Sequence, residues 1–110
     1  MATMVRIFHS DLRDGVGIGE SRIEISPGVG AEEGLPFSAY SAQFGAGETA
    51  QLPASYEEVW VVVSGQLQIR SGGLELTAGA GDYVHVPPDS PGVVEAMVAT
   101  TLVCVSVPAH

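Results

Sequence analysis

The residue in this sequence best placed to do chemistry is Glu58, a carboxylate inside a strongly apolar stretch. Residues 57–63 hold four valines and a tryptophan, a composition that favours a buried β-strand over a helix. Because strand side chains alternate between two faces, Glu58 shares a face with Trp60 and Val62 and is expected to point inward. A buried carboxylate needs a metal, a hydrogen-bond partner or a proton of its own. Glu58 is therefore predicted to be a general acid or base, or else a carboxylate held by structural hydrogen bonds.

Two further side chains are candidates for the same chemistry. His85 could shuttle protons near a cavity, and the alternative is a histidine packed in the core with one backbone hydrogen bond. Tyr56, two residues before Glu58, would share its face and could donate a hydrogen bond to it or to a substrate; the alternative is a tyrosine with its hydroxyl in water. Trp60 is predicted to fill the core or to stack against a flat ligand. The residues predicted to contact a ligand are Tyr40, Gln43, Gln51 and Trp60.

Several other reactive residue types are given no chemical role. Glu57 should face away from its neighbour Glu58, so the two do not form a catalytic pair. Cys104 lies between two valines without a basic neighbour, which predicts an inert thiol. His9 and His110 lie near the ends of the sequence, and nothing in their spacing predicts a metal cluster.

The charge balance excludes several classes of partner. Thirteen acidic residues stand against four arginines, for a net charge of -9, and the chain has no lysine. Nucleic-acid binding and docking to an anionic membrane both require clustered basic residues, so neither partner is expected. The absence of lysine also excludes Schiff-base chemistry. The expected partner is a small polar molecule.

The sequence also carries indications of location. No apolar run approaches the roughly 20 residues that span a bilayer, and the first residues do not have the pattern of a secretory signal. A single cysteine cannot form an internal disulfide and suits a reducing compartment. A cytoplasmic location is therefore predicted.

The elements that must position these residues are predicted to be β-strands throughout. No stretch of ten or more residues has helical periodicity, whereas short apolar runs recur at even spacing between glycine-rich and proline-rich turns. This pattern predicts an all-β barrel or sandwich. Loops are expected at 10–19 and 27–36. The predicted strands are 5–8, 21–26, 37–44, 57–63, 66–71, 74–77, 82–86, 93–98 and 102–107.

Two segments carry a family resemblance. The first is Gly45, five residues, Gln51-Leu52-Pro53, four residues, Glu58, six residues and Gly65; the second is Gly-Asp-Tyr-Val-His-Val-Pro-Pro-Asp at 81–89. Together they resemble the paired motifs of the cupin superfamily. The resemblance implies a double-stranded β-helix (jelly-roll) barrel and a homodimer. It also implies one cupin domain over 1–110, with strands in about 4–44 completing the barrel and the motifs at 45–65 and 81–96.

This chain lacks most of the metal ligands that the resemblance to cupins would imply. A metal-binding cupin would have histidines where this chain has Gln51, Pro53 and Gly92, which leaves only Glu58 of the four usual ligands. One carboxylate with one amide is a poor ligand set for a first-row metal, so no metal and no other cofactor is predicted.

The segment Tyr56-Glu57-Glu58-Val-Trp most resembles the ethanolamine-utilisation Q-type branch of cupins, which also lacks the histidines. Members of that branch have been linked to acetate kinase activity. The missing lysine and the lack of a glycine-rich phosphate loop disfavour phosphoryl transfer in this chain.

The leading hypothesis is a metal-independent cupin that performs a lyase, isomerase or cyclase step. Glu58 would transfer the proton, and His85 or Tyr56 would polarise or position the substrate. The first alternative is a ligand-binding or accessory cupin that does no chemistry. The second is an atypical metalloenzyme that uses Glu58, His85 and Gln51.

Overall fold

The computed structural model describes residues 4–10, 16–17, 22–53 and 55–110. Within these ranges the chain forms β-strands and one short 3-10 helix, Ala31–Glu33, which confirms the prediction of an all-β protein. No helix in this part of the chain has the length and hydrophobicity needed to cross a membrane. The strands are β1 (Val16–Gly17), β2 (Ile23–Val29), β3 (Ser38–Phe44), β4 (Thr49–Gln51), β5 (Glu57–Ser64), β6 (Gln66–Ser71), β7 (Leu74–Gly79), β8 (Tyr83–Val86), β9 (Gly92–Ala96) and β10 (Thr100–Val107).

The described strands form two antiparallel sheets that share one apolar core. One sheet has the strand order β1-β2-β3-β10-β5-β8, and the other has the order β4-β9-β6-β7. Strand β10 is inserted between β3 and β5, although many residues separate the three strands in sequence. Long-range antiparallel pairing across two packed sheets is typical of a jelly-roll barrel, the predicted fold class.

Strand β5 has one face inside the barrel and one face outside it. Glu58, Trp60 and Val62 are 3%, 5% and 0% exposed, whereas Val59 and Val61 are 37% and 39% exposed. Alternate side chains of a strand point to opposite faces. The inward direction predicted for Glu58 is therefore confirmed.

The hairpin between β6 and β7 lies where the sequence predicts it. Strand β6 ends at Ser71 and β7 begins at Leu74, so Gly72 and Gly73 form the two-residue turn. Both glycines have positive φ angles, 58° and 79°. Tight hairpin turns of the type that matches strand twist need positive φ at both central positions, which only glycine adopts freely.

The first predicted strand, at 5–8, is wrong. These residues are in no strand of the described chain, and Val5 and Ile7 are 95% and 81% exposed. Apolar character alone does not make a strand, because the backbone also needs a neighbouring strand to pair with. Ser21, the expected start of the second strand, lies outside the described residues.

The loop predicted at 27–36 begins too early. Strand β2 continues to Val29, because its pairing with β3 resumes after an irregularity between Pro27 and Val29. A bulge lets a strand accommodate a proline, which has no N–H to donate to the ladder. Strand β4 was not predicted; it is three residues long and is held by pairing with β9.

Two motif glycines provide a matched test of how the turn between β5 and β6 packs against the start of β10. Gly65 and Gly81 have φ angles of +95° and +91°, but only at Gly65 would an added Cβ meet neighbours, with the Thr100 Cα at 2.6 Å. We expect Gly81→Ala to cost about 1 kcal/mol of unfolding free energy through backbone strain. Gly65→Ala should cost roughly 3 kcal/mol, because the clash adds to the strain. Urea denaturation measures both, and equal losses would contradict this account of the turn.

Candidate functional site

Glu58 borders a cavity of about 280 Å³ between the two sheets. Most of the side chains around it are apolar, and they come from strands of both sheets. Three of the polar lining residues, Tyr40, Trp60 and His110, lie close to the Glu58 carboxylate. A concave apolar site with a few convergent polar groups is the usual form of a small-molecule pocket. The principal apolar residues of the lining are Ile23, Ile25, Ala42, Phe44, Val94 and Leu102.

The Glu58 carboxylate accepts hydrogen bonds from three neutral side chains. The Trp60 indole Nε1 donates to Oε1 at 2.6 Å, and the Ser106 hydroxyl donates to Oε2 at 2.5 Å. The Tyr40 hydroxyl lies 3.2 Å from Oε2 and 3.4 Å from Oε1, so its hydrogen bond is longer and shared. The predicted need of this carboxylate for partners is thus met by side chains. No buried side-chain N or O atom of the described residues lacks a partner.

Strand pairing brings these donors together. Ser106 in β10 is the direct partner of Glu58 in β5, and Cys104 pairs with Trp60. On its other side, Cys104 pairs with Tyr40 in β3. All five side chains therefore project from the inner face of three adjacent strands, because positions opposite each other across a ladder share a face.

His110 completes the group, and no sequence pattern predicted it at this site. Its Nε2 lies 3.4 Å from Glu58 Oε2, and its ring stacks on Tyr56 with 3.5 Å between centroids and 18° between planes. The main chain of His110 is tied to Ser38, whose hydroxyl accepts from the His110 N–H at 2.7 Å and donates to its oxygen at 3.1 Å. The His110 side chain is 31% exposed, so it lies between the buried carboxylate and solvent.

Burial and charge keep two neighbouring groups protonated. Burial raises the pKa of the Tyr40 phenol well above its ordinary value, and the charges of Cys104 and Glu58 add to the effect. Burial, with the charge of Glu58, raises the pKa of the Cys104 thiol to about 12. Tyr40 is therefore a neutral hydrogen-bond donor near neutral pH. Cys104 is an unreactive thiol there, as predicted.

Two of the predicted site residues are not brought to the cavity. His85 lies on the outer face of β8, where its Nε2 is 2.6 Å from Glu57 Oε2 and its side chain is 58% exposed. Gln43 alternates with the inward residues Ala42 and Phe44 of β3 and is absent from the cavity lining. The outward direction of Gln43 could have been read from its apolar neighbours, because two inward residues on either side of a strand position require an outward side chain between them. His85 and Gln43 are accordingly left out of the candidate site.

The remaining predicted residues do line the cavity. Tyr40, Tyr56, Gln51 and Trp60 all border it together with Glu58. Tyr40, expected only to contact a ligand, is the tyrosine that bonds the carboxylate. Tyr56, expected to donate a hydrogen bond to the carboxylate or to a substrate, stacks its ring on His110.

The residues present do not fit a cupin metal centre. In the described part of the chain, no three His, Cys, Asp or Glu side chains come together as a ligand group. Each carboxylate oxygen of Glu58 already accepts a close hydrogen bond, from Trp60 or from Ser106. His85, one member of the hypothetical alternative ligand set, lies on the opposite face of the sheet. First-row metals need several imidazole or carboxylate ligands at one point, which this cavity does not provide.

No family model and no curated protein matches the sequence. Solved structures do match the fold. A structure assigned to ethanolamine utilization protein Q of Salmonella typhimurium is 23% identical, with a TM-score of 0.72 over 80% of this chain and 71% of that chain. Ectoine synthase from P. lautus is 17% identical, with a TM-score of 0.80 over 94% of this chain and 78% of that chain.

An RmlC-like cupin from Shewanella frigidimarina is similar over almost the whole of both chains, 97% of this one and 94% of that one, with a TM-score of 0.77 and 18% identity. At identities this low the likeness is one of fold. The two motifs, the two antiparallel sheets and these structural relatives agree that the chain has the cupin jelly-roll fold.

Proposed function

We propose that this cupin binds a small molecule beside Glu58 and catalyses a proton-transfer step of the lyase, isomerase or cyclase type without a metal ion. The observation that carries the proposal is the carboxylate of Glu58, 3% exposed and bordering a cavity of about 280 Å³. A carboxylate in a largely apolar cavity is costly to bury, so it needs a compensating role or compensating partners. A carboxylate next to a ligand-sized space can exchange a proton with a bound molecule.

Glu58 and Tyr40 have complementary roles in this proposal. Glu58 takes the proton from the substrate and returns it, while Tyr40 donates a hydrogen bond to the atom on which charge develops. The long, shared hydrogen bond from the Tyr40 hydroxyl to Glu58 is the one that a substrate can replace most easily. Trp60 and Ser106, with the closer bonds, hold the carboxylate in place.

His110 connects the carboxylate to solvent. With its Nε2 3.4 Å from Glu58 and its side chain partly exposed, it can carry the proton between the buried site and water. Stacking on Tyr56 keeps the ring at the cavity. Histidine thus retains the proton-shuttle role that the sequence hypothesis gave to His85, at a different position.

A ligand-binding cupin without catalysis is the second candidate. The observation in its favour is that Glu58 already has close partners in Trp60 and Ser106, so its burial is stabilised without any substrate. Under this proposal the carboxylate fixes the orientation of a ligand and transfers no proton. The fold does not choose between the two, since similar barrels host different functions.

Replacing Glu58 by Gln separates the two candidates. The amide can still accept from Trp60 through its oxygen, and the hydroxyls of Ser106 and Tyr40 can rotate to accept from its NH₂ group. We therefore expect the unfolding free energy to change by about 1 kcal/mol or less. Proton transfer should fall by roughly 10²- to 10⁴-fold. The readout is deuterium incorporation into a panel of small metabolites in D₂O, followed by mass spectrometry.

Glu57→Gln is the matched control, because it removes the same charge from the neighbouring residue on the outer face of the barrel. This variant should keep the wild-type rate. A Glu58→Gln protein that retains full activity would contradict the catalytic proposal. A wild-type protein that binds a metabolite but exchanges no deuterium would favour the second candidate.

Metal independence has its own test. Prolonged treatment with a chelator should leave the exchange rate and the thermal midpoint unchanged, because the lining offers no complete ligand set. Elemental analysis of protein purified without chelator should find less than one metal ion per chain. Stoichiometric iron, manganese, nickel or zinc, with activity lost on chelation and restored by that metal, would revive the metalloenzyme alternative.

We further propose that the protein is a homodimer in which a second copy covers the outer face of β5 and β10, called here the outer valine face. Its side chains are about 37% to 49% exposed and lie side by side, since Val59 pairs with Val105 and Val61 with Val103. A contiguous apolar patch on a sheet is typical of an association surface. The exposed members of the outer valine face are Val59, Val61, Val63, Val105 and Val107.

Val61→Glu tests this interface. A carboxylate in the centre of a buried apolar contact should convert the dimer to a monomer, because its desolvation is not compensated. Leu74→Glu is the matched control, since Leu74 is 64% exposed at the hairpin tip between β6 and β7, away from the outer valine face. Light scattering measures the mass of each. A monomeric wild-type protein, or equal dissociation by both variants, would contradict the proposed interface.

A further inference from the structure

We infer that the ligand of the Glu58 cavity is a small organic cation, an ammonium group on a compact apolar body. The inference rests on the proposed function, because it names the substrate class of the same site. It follows from three features of the cavity: the sign of its charge, the rings around it, and its size.

The charge of the site is negative and has no fixed counter-ion in the described lining. The three hydrogen-bond donors to Glu58, namely Tyr40, Trp60 and Ser106, are all neutral side chains. They satisfy the lone pairs of the carboxylate without cancelling its charge. No arginine is among the residues that line the cavity, and the chain has no lysine.

The described arginines are engaged elsewhere. Arg6 lies 2.8 Å from Glu33, Arg22 lies 3.4 Å from Glu48, and the Arg70 side chain lies 3.3 Å from Glu95. The fourth arginine of the chain, Arg13, lies outside the described residues. The pairs that are described sit on the surface with partly exposed side chains, so these cations do not compensate the buried carboxylate.

His110 is the one lining side chain of the described chain that can become positive. Its Nε2 is 3.4 Å from Glu58 Oε2, farther than the donors Trp60 and Ser106, and its side chain is 31% exposed. A ligand ammonium that approaches Glu58 more closely than His110 gains a stronger attraction, because the interaction falls with distance and rises with burial. A neutral His110 would offer the ligand a further acceptor.

The aromatic residues of the lining favour a cation as well. Tyr40, Phe44 and Trp60 border the cavity, as does Tyr56, one face of which is already stacked on His110. The faces of such rings carry negative partial charge and attract ammonium groups, an effect that grows when the site excludes water. A buried carboxylate with several aromatic rings is thus suited to a positively charged group and unsuited to a phosphate or a carboxylate, which it would repel.

The remaining side chains and the volume of the cavity determine the polarity and size of the part of the ligand that lies away from Glu58. Ile23, Ile25, Val94 and Leu102 supply apolar contacts away from Glu58. The volume of about 280 Å³ lies just below the range of about 300–1,000 Å³ for drug-sized pockets. A single ring or a short branched chain fits this space, and a nucleotide or a peptide does not.

Three probes of one shape and different charge test the inference. Cyclohexylammonium, cyclohexanol and cyclohexanecarboxylate are titrated near neutral pH, and the dissociation constants are measured by calorimetry or by NMR shifts. We expect the ammonium to bind at least about tenfold more tightly than the alcohol, and the carboxylate to bind most weakly. Equal binding of the ammonium and the alcohol, tightest binding of the carboxylate, or binding of none of the three would overturn the proposal.

Two variants locate the source of the preference. Glu58→Gln should abolish the advantage of the ammonium over the alcohol, while Glu57→Gln should keep it, although both remove one negative charge. Loss of the preference in Glu57→Gln would show that the overall charge of -9 attracts the cation and would overturn the assignment to this cavity. A preference that survives in Glu58→Gln would overturn it equally.

The affinity measurement does not depend on turnover, so the two proposals fail separately. A preference for the cationic probe without deuterium exchange would contradict the proposed acid–base function and support the inferred ligand class. Deuterium exchange that depends on Glu58, without a preference for the ammonium probe, would contradict the inferred ligand class and support the proposed acid–base function.

Discussion

The burial of the Glu58 carboxylate is the constraint on which the inner face of this barrel depends. A charge removed from water must be compensated by donors in the protein, and here Trp60, Ser106 and Tyr40 provide them. These donors come from three adjacent strands, so their convergence requires β10 to lie between β3 and β5 in one register. A slip of one residue would turn the donors to the outside and leave the carboxylate unpaired.

The same strand pairing gives the larger sheet two different faces, one that lines the cavity and one on the outside of the barrel. Inside, a polar cluster around Glu58 lies within a largely apolar cavity that is suited to binding a small molecule. On the outside, β5 and β10 carry partly exposed valine side chains. Such an apolar patch is the surface proposed to contact a second copy of the chain. His85 and Glu57 pair on that outer face, so this histidine of the second motif does not border the cavity.

The site departs from a metal-binding cupin in the way its carboxylate is held. Where the resemblance to metal-binding cupins would imply histidines, this chain has Gln51, Pro53 and Gly92. The Glu58 carboxylate is held by side-chain hydrogen bonds. Neutral donors hold a carboxylate in position but leave its charge available to a ligand. That difference underlies both the proposed proton transfer and the inferred preference for a cation.

The sequence by itself determined the all-β architecture, the inward direction of Glu58 and the hairpin at Gly72 and Gly73, because these depend on local alternation and turn geometry. Only the tertiary structure decided which side chains meet that carboxylate. His110 and Ser38 are 72 residues apart, and no local pattern indicates that their contact brings the His110 ring to Glu58. Alternation gives the relative direction of neighbouring side chains, whereas long-range strand pairing determines which strands lie side by side and which residues converge on one point.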